Sequence, residues 1–104
     1  MKYIKYYEKR VEDIEINDYV IVSLPFQFSH TYLYLKKTIG RIRSILDDTI
    51  YVEYGDDVPK DLQPYFTRAD YGEYIKIVKA KDIIFSSPNK KEVEAYLNSN
   101  KFNI

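Results

Sequence analysis

The 104-residue chain carries sixteen basic and sixteen acidic side chains, no cysteine and an apolar fraction of 45%. This length predicts one folded domain over residues 1–104, and the apolar fraction with zero net charge excludes the composition of intrinsic disorder. The lack of cysteine excludes disulfides and thiolate metal ligands. No apolar run is long enough to span a bilayer, and the N-terminus lacks the layout of a secretion signal. We therefore expect a cytoplasmic protein with no membrane contact.

The N-terminal segment is compatible with two structures. Ile4, Tyr7, Val11 and Ile14 have the near-heptad spacing of a helical face, whereas the tyrosine-rich start suits a strand equally well. Both alternatives stay open at this stage.

The first clear strand begins after the turn pair Asn17-Asp18. The run from Tyr19 to Leu24 is rich in β-branched residues and is closed by Pro25. Residues 26–38 form a longer excursion, in which residues 31–37 have the length of about two helical turns. We interpret this excursion as an insertion between strands.

A β-hairpin is the strongest local prediction. Residues 39–46 and 49–54 form two β-rich runs around the acidic turn Asp47-Asp48. In the second arm Ile50, Val52 and Tyr54 share one face. Gly40 is interpreted as a bend or bulge at the start of the first arm.

The segment from Gly55 to Gly72 contains two prolines and turn-prone aspartates, which favour a loop with one helical turn at residues 60–63. Residues 74–79 return to a strand pattern, residues 80–82 break it, and residues 83–85 resume it. The break is too short to predict a separate element of secondary structure.

The C-terminal segment contains the clearest helix start in the chain. Either Ser87 caps the helix with Pro88 in its first position, or Asn89 caps it with Glu92 completing a capping box. An apolar stripe then follows at Val93, Tyr96 and Leu97. We expect a short helix over roughly residues 88–98 that packs on the sheet.

Five short strands, with a turn pair before the first, a hairpin in the middle and a helical turn before the last, resemble an SH3-like small barrel. The resemblance covers roughly residues 14–85 and rests on residues 16–20, 39–42, 51–54, 75–77 and 83–85. It implies a mainly β fold with minor α, an antiparallel barrel with a short C-terminal helix. An OB-like barrel and an open α+β sheet are the alternatives.

The C-terminal residues also resemble short uncharacterised proteins of bacteriophages. This resemblance rests on residues 85–91 and 97–101. It implies a setting, the host cytoplasm of a phage-encoded protein, and no particular activity.

Residue types that carry catalysis or bind cofactors are sparse. His30 is the one histidine, and neither Asp47-Asp48 nor Asp56-Asp57 matches a calcium loop. The three glycines are isolated, which excludes a phosphate-binding loop, and a histidine between a serine and a threonine rarely has catalytic geometry. We therefore expect no catalytic residue, no cofactor and no metal, so the chain is predicted not to be an enzyme.

Charge is strongly segregated along the chain. Residues 1–18, 19–46, 47–73 and 74–104 carry net charges of −1, +4, −6 and +3. A basic stretch therefore precedes an acidic loop that also carries tyrosines.

Two binding functions follow from this segregation. In the first and favoured one, the acidic loop contacts an unidentified host or viral protein, because tyrosine supplies a large contact area at low entropic cost. The predicted contact residues are Tyr54, Asp56, Asp57, Asp61, Tyr65, Phe66 and Tyr71.

In the second, a basic strand and neighbouring tyrosines bind single-stranded nucleic acid. The basic residues are Lys36, Lys37, Arg41 and Arg43, and the stacking partners are chosen from Tyr6, Tyr7, Tyr32 and Tyr34. The zero net charge counts against this function. A third interpretation is that the charges only solvate opposite faces while most tyrosines fill the core.

Overall fold

The computed structural model describes residues 10–25 and 29–101, which form a six-stranded antiparallel sheet with two α-helices. The strands are β1 (Tyr19–Val22), β2 (Gly40–Leu46), β3 (Thr49–Glu53), β4 (Thr67–Arg68), β5 (Tyr74–Lys79) and β6 (Ile83–Ser87). The helices are α1 (His30–Lys37) and α2 (Lys90–Lys101). Short 3-10 helices occupy Val11–Asp13, Gln63–Tyr65 and Ala80–Asp82.

The prediction of a mainly β fold is confirmed, and the sheet is open. The strand order is β4-β5-β3-β2-β1-β6, in which β6 follows a short helical turn and returns to pair with β1. Within residues 10–25 and 29–101, no strand pairing joins the two edge strands β4 and β6. The sheet is therefore not closed, and closure into a barrel is not confirmed.

The predicted hairpin is confirmed as β2 and β3. Its turn begins at Asp47, whose φ of +56° lies in the left-handed region that aspartate tolerates better than most residues. The register pairs Ile42 with Val52 and Ile45 with Ile50. Ile42, Ile50 and Val52 are fully buried, so the alternation in the sequence does place one face of the hairpin in the core.

The predicted turn before β1 joins the chain to β2. Asn17 has a φ of +78°, and the Asp18 carboxylate accepts the Glu15 N–H at 3.0 Å. The Asp18 carbonyl accepts the Ile42 N–H at 2.8 Å. The N-terminal segment was predicted to be either a helix or a strand, and its residues 1–9 lie outside the described residues. In the described part of this segment, Val11–Asp13 is a 3-10 helix.

The helix predicted in the excursion is confirmed as α1, and it contributes to the core. The Ser29 hydroxyl accepts the Tyr32 N–H at 3.0 Å, which caps the first turn. Leu35 is fully buried in the main core with residues of β1, β2 and β3. The segment is therefore more than an insertion, because it covers one face of the sheet.

Gly40 allows two core side chains to approach the backbone of β2. A Cβ atom at this position would lie 2.8 Å from Cζ of Tyr54 and closer still to Cγ1 of Val52. The irregularity in β2 lies between Ile42 and Ser44, where the register shifts. The expected bulge is therefore displaced from Gly40, whose role is steric.

The opposite face of β1 and β6 is covered by α2. Ile21 alternates with the core-facing residues of β1 and is fully buried, as is Val93 of α2. Phe85, the ladder partner of Ile21, stacks on Tyr96 with ring centroids 4.5 Å apart. The expected packing of the C-terminal helix on the sheet is confirmed.

The two alternative caps of α2 act together. The Asn89 side chain accepts the Lys91 N–H at 2.9 Å, while the Ser87 hydroxyl accepts the Asn89 N–H at 3.0 Å. The same hydroxyl donates to the Glu92 carboxylate. Glu92 therefore reaches Ser87 instead of the Asn89 backbone, and Pro88 precedes the helix, which begins at Lys90.

Candidate functional site

The segment between β3 and β5 was predicted to be a loop, and in the structure it is a packed unit that we call the acidic lobe (residues 54–73). Val58 and Leu62 are buried in the main core, and Phe66 packs against it. The N–H groups of Leu62 and Gln63 both donate to the Pro59 carbonyl, which forms the helical turn expected at residues 60–63. The lobe also contributes β4, which the loop prediction lacked.

Side chains on both sides fasten the acidic lobe to the sheet. The Lys76 ammonium group of β5 donates to the Tyr65 carbonyl at 2.7 Å, and burial lowers the pKa of Lys76. The Arg68 guanidinium donates to the Tyr74 hydroxyl at 3.1 Å. The lobe therefore presents its outer side chains from a fixed backbone.

The predicted acidic residues lie at the surface of the lobe. Asp56, Asp57 and Asp61 are exposed, and no lysine or arginine in the described part of the chain forms an ion pair with them. Glu73 differs, because its carboxylate lies 3.4 Å from the Arg43 guanidinium of β2. This ion pair joins the basic and acidic stretches, while the carboxylates of the three aspartates are exposed.

The predicted aromatic contact residues divide into exposed and buried ones. Tyr65 and Tyr71 are 63% and 86% exposed, whereas Phe66 is half-buried. Tyr54 is only 6% exposed. It is a core residue, because it follows the same alternation as Val52, and it does not belong to the exposed set.

Tyr54 and Phe66 belong to an aromatic cluster beneath the lobe. The Phe66 ring lies 5.8 Å from Tyr54, 6.1 Å from Tyr34 and 6.3 Å from Tyr74, in edge-to-face arrangements. Burial raises the pKa of the Tyr54 hydroxyl far above its ordinary value, and no hydrogen-bond partner for it exists among the described residues. Burial, and then the Asp57 carboxylate, also raise the pKa of Tyr34.

An open cleft of about 580 Å³ lies between the start of α1 and the acidic lobe. The buried Leu62 and the half-buried Leu24 are its apolar lining, and His30, Asp61 and Tyr65 are its exposed lining. Two predicted contact residues, Asp61 and Tyr65, therefore share a concave site.

The remaining cleft residues were not predicted as site residues. Leu24 was assigned to a strand, and His30 was treated as an isolated polar residue. For Lys76 the sequence did contain a signal, because Lys76 lies two residues from Tyr74 and two from Val78, both of which are buried. That periodicity places Lys76 on the core-facing side of β5, where it reaches the lobe.

The predicted basic residues do not form one surface. Lys36 and Lys37 are exposed at the end of α1, which lies on the core side of the sheet, and Lys36 donates to the Tyr32 hydroxyl at 3.1 Å. Arg41 and Arg43 are exposed on β2 and flank the core-facing Ile42. The sheet therefore separates Lys36 and Lys37 from Arg41, while Arg43 lies at the register shift of β2.

The aromatic partner of the basic strand also differs from the prediction. Tyr6 and Tyr7 lie outside the described residues, Tyr32 is buried, and Tyr34 belongs to the aromatic cluster. The Arg41 guanidinium instead lies 5.5 Å from the ring centroid of Tyr19.

Neither a metal centre nor a membrane span is found in the part of the chain that the structure describes. No three His, Cys, Asp or Glu residues there are grouped so that they could hold a metal ion. No helix there is long and apolar enough to cross a membrane.

No protein-family model matches the chain, and no significant match was found among curated proteins or solved structures. We therefore infer the function from the residues of the acidic lobe, the cleft and the basic strand themselves.

Proposed function

We propose that the chain is a non-enzymatic binding module that contacts a protein partner through the acidic lobe. The observation that carries this proposal is the meeting of Asp61 and Tyr65 at the cleft. It combines an exposed carboxylate, an exposed aromatic ring and an apolar recess in one place. Such a combination is typical of contact sites, where aromatic side chains supply area and charge supplies specificity.

The fixed backbone of the lobe supports the same function. A contact surface that is already ordered loses less conformational entropy on binding. The lobe is held by the buried Val58 and Leu62 and by the bond from Lys76 to the Tyr65 carbonyl. We infer that the partner presents a basic surface, because Asp56, Asp57 and Asp61 are exposed and unpaired within the described residues.

We further propose that the sheet is an opened form of an SH3-like barrel and that the chain is a phage-type accessory protein acting in the host cytoplasm. The return of β6 to β1 after a 3-10 helix supports the first statement. The second rests on the sequence resemblance of residues 85–91 and 97–101 alone.

Binding of single-stranded nucleic acid is the second candidate. It is favoured by Arg41, which is exposed beside the Tyr19 ring on the face of β2 that points away from the core. It is disfavoured by the ion pair of Arg43 with Glu73 and by the separation of Lys36 and Lys37 from the strand. The protein-binding function is therefore preferred.

A capture experiment tests the proposed function. The tagged chain is incubated with nuclease-treated lysate of its host, and captured proteins are compared between the wild type and a lobe variant, Asp56→Lys, Asp57→Lys and Asp61→Lys. The control carries the same charge change outside the lobe at three exposed residues, Glu12→Lys, Glu15→Lys and Glu94→Lys. We expect the wild type and the control to retain one partner that the lobe variant loses. Equal retention by all three chains would reject the acidic lobe as the contact surface.

A further inference from the structure

We propose that the cleft accepts an apolar side chain of the partner, and that a lysine or arginine next to it in the partner's sequence pairs with Asp61. This inference rests on the proposed function and defines the chemistry of the partner segment. It follows from the shape, the lining and the charge of the cleft.

The apolar part of the inference rests on Leu24 and Leu62. Both line a recess of about 580 Å³, which is within the usual size of ligand sites. Contact energy in protein interfaces is concentrated where a side chain fills such a recess and excludes water. The exposed Tyr65 ring stands at the same cleft and extends the apolar contact area.

The basic part of the inference rests on the charges that the cleft offers. Asp61 is exposed and has no cationic partner in the described ranges of the chain. Lys76 is the cleft's ammonium group, but it is half-buried and donates to the Tyr65 carbonyl at 2.7 Å. Asp61 is therefore the more exposed of these two charged groups, and the exposed Asp56 and Asp57 of the same lobe add negative charge at longer range.

A peptide selection tests this chemistry and does not require the partner to be identified. A random dodecapeptide library is selected on the immobilised full chain, and enriched peptides are synthesised with a fluorescein label for anisotropy. We expect the enriched sequences to share an apolar residue flanked by lysine or arginine. Enrichment of acidic or uncharged sequences would overturn the inference.

Two variants of α1 then locate the bound peptide. His30→Trp places a large side chain at the cleft, and Lys37→Trp places it at an exposed position of the same helix outside the cleft. We expect His30→Trp to weaken the peptide's affinity at least tenfold and Lys37→Trp to change it less than twofold. Equal effects of the two variants would overturn the inference.

A measurement on the wild type excludes misfolding as the explanation. With methyl-labelled leucine, titration of the peptide should shift the Leu24 and Leu62 signals and leave Leu46 unchanged, since Leu46 is exposed at the hairpin turn and does not line the cleft. A second result would place the peptide elsewhere on the lobe. In it, the double variant Asp56→Lys, Asp57→Lys binds the peptide more weakly, but the peptide does not shift the Leu24 and Leu62 signals of the wild type. That result would preserve the proposed function and reject the cleft as the anchor site.

Discussion

Replacing Tyr54 by phenylalanine should stabilise the protein, although it removes a polar group from the core. The Tyr54 side chain is 6% exposed, and its hydroxyl has no hydrogen-bond partner among the described residues. A buried hydroxyl without a partner costs roughly 1–3 kcal/mol in folding free energy. Since phenylalanine keeps the ring contacts with Tyr34 and Phe66, we expect Tyr54→Phe to raise the free energy of unfolding by about 1 kcal/mol.

Tyr74 provides the matched control in the same aromatic cluster. It is 5% exposed, but its hydroxyl accepts the Arg68 guanidinium at 3.1 Å. Tyr74→Phe leaves that donor without its acceptor and should lower the free energy of unfolding by about 1 kcal/mol. Urea unfolding of the wild type and both variants measures the two effects. A loss of about 1 kcal/mol for Tyr54→Phe would refute the reasoning, because the hydroxyl would then make a stabilising bond.

The pH dependence of stability gives a second measure of the Tyr54 hydroxyl. Burial raises its pKa in the folded state above the value of about 10 in the unfolded chain. The neutral form therefore stabilises the folded state fully below pH ~10, and this stabilisation is lost as the pH rises above that value. The free energy of unfolding should fall above pH ~10 by up to ~1.4 kcal/mol per pH unit from this one group. Tyr54→Phe should make the fall shallower, and an unchanged slope would contradict the assignment.

Three further predictions concern the core and metal binding. Val52→Ala should lower the free energy of unfolding by roughly 1–3 kcal/mol while Glu53→Ala changes it little, because Val52 is fully buried and Glu53 faces away from the core. Equal urea midpoints for the two variants would refute the register of β3. Gly40→Ala should destabilise by roughly 1–3 kcal/mol, since its Cβ would meet Val52 and Tyr54, whereas the exposed Ser44→Ala should be neutral in the same assay. Zinc or a chelator should leave the thermal midpoint unchanged, and a drop of several degrees with chelator would reveal a metal site.

Local patterns in the sequence predicted much of the fold. The hairpin followed from two β-rich runs around an acidic turn, and the C-terminal helix followed from its capping residues. Both depend on residues close in sequence. Closure of the sheet was not predictable in this way, because it depends on whether distant edge strands pair, as β4 and β6 do not in the described structure.

The candidate site shows where charge and composition mislead. Tyr54 was assigned to the contact surface because of its acidic neighbours, although its alternation with Ile50 and Val52 already placed it in the core. Val58 and Leu62 lie four residues apart in a segment predicted to be loop from its prolines and aspartates, and both are buried. A spacing of four between apolar residues was the available signal for a packed lobe.

The four residues of the basic stretch are close in sequence, but they lie on two different elements of the fold, α1 and β2. Lys37 ends α1, and three residues later β2 begins on the sheet. Arg41 therefore faces away from the layer that contains α1, since its neighbour Ile42 is fully buried, whereas Arg43 lies at the register shift of β2 and pairs with Glu73. Net charge per segment cannot reveal such a division, because it ignores the direction of side chains.

The affinity of the isolated partner for the charge-reversed lobe tests the central claim most directly. The partner captured by the wild type is purified and titrated into the wild type, the Asp56→Lys, Asp57→Lys, Asp61→Lys variant and the Glu12→Lys, Glu15→Lys, Glu94→Lys control, with a single-stranded oligonucleotide titrated in parallel. If the lobe is the contact surface, the lobe variant binds the partner at least ~10-fold more weakly, a difference of about 1.4 kcal/mol, and the control binds as the wild type does. An unchanged affinity for the partner, together with tighter and more salt-dependent oligonucleotide binding by the lobe variant, would contradict the claim and assign the function to Arg41 and Arg43.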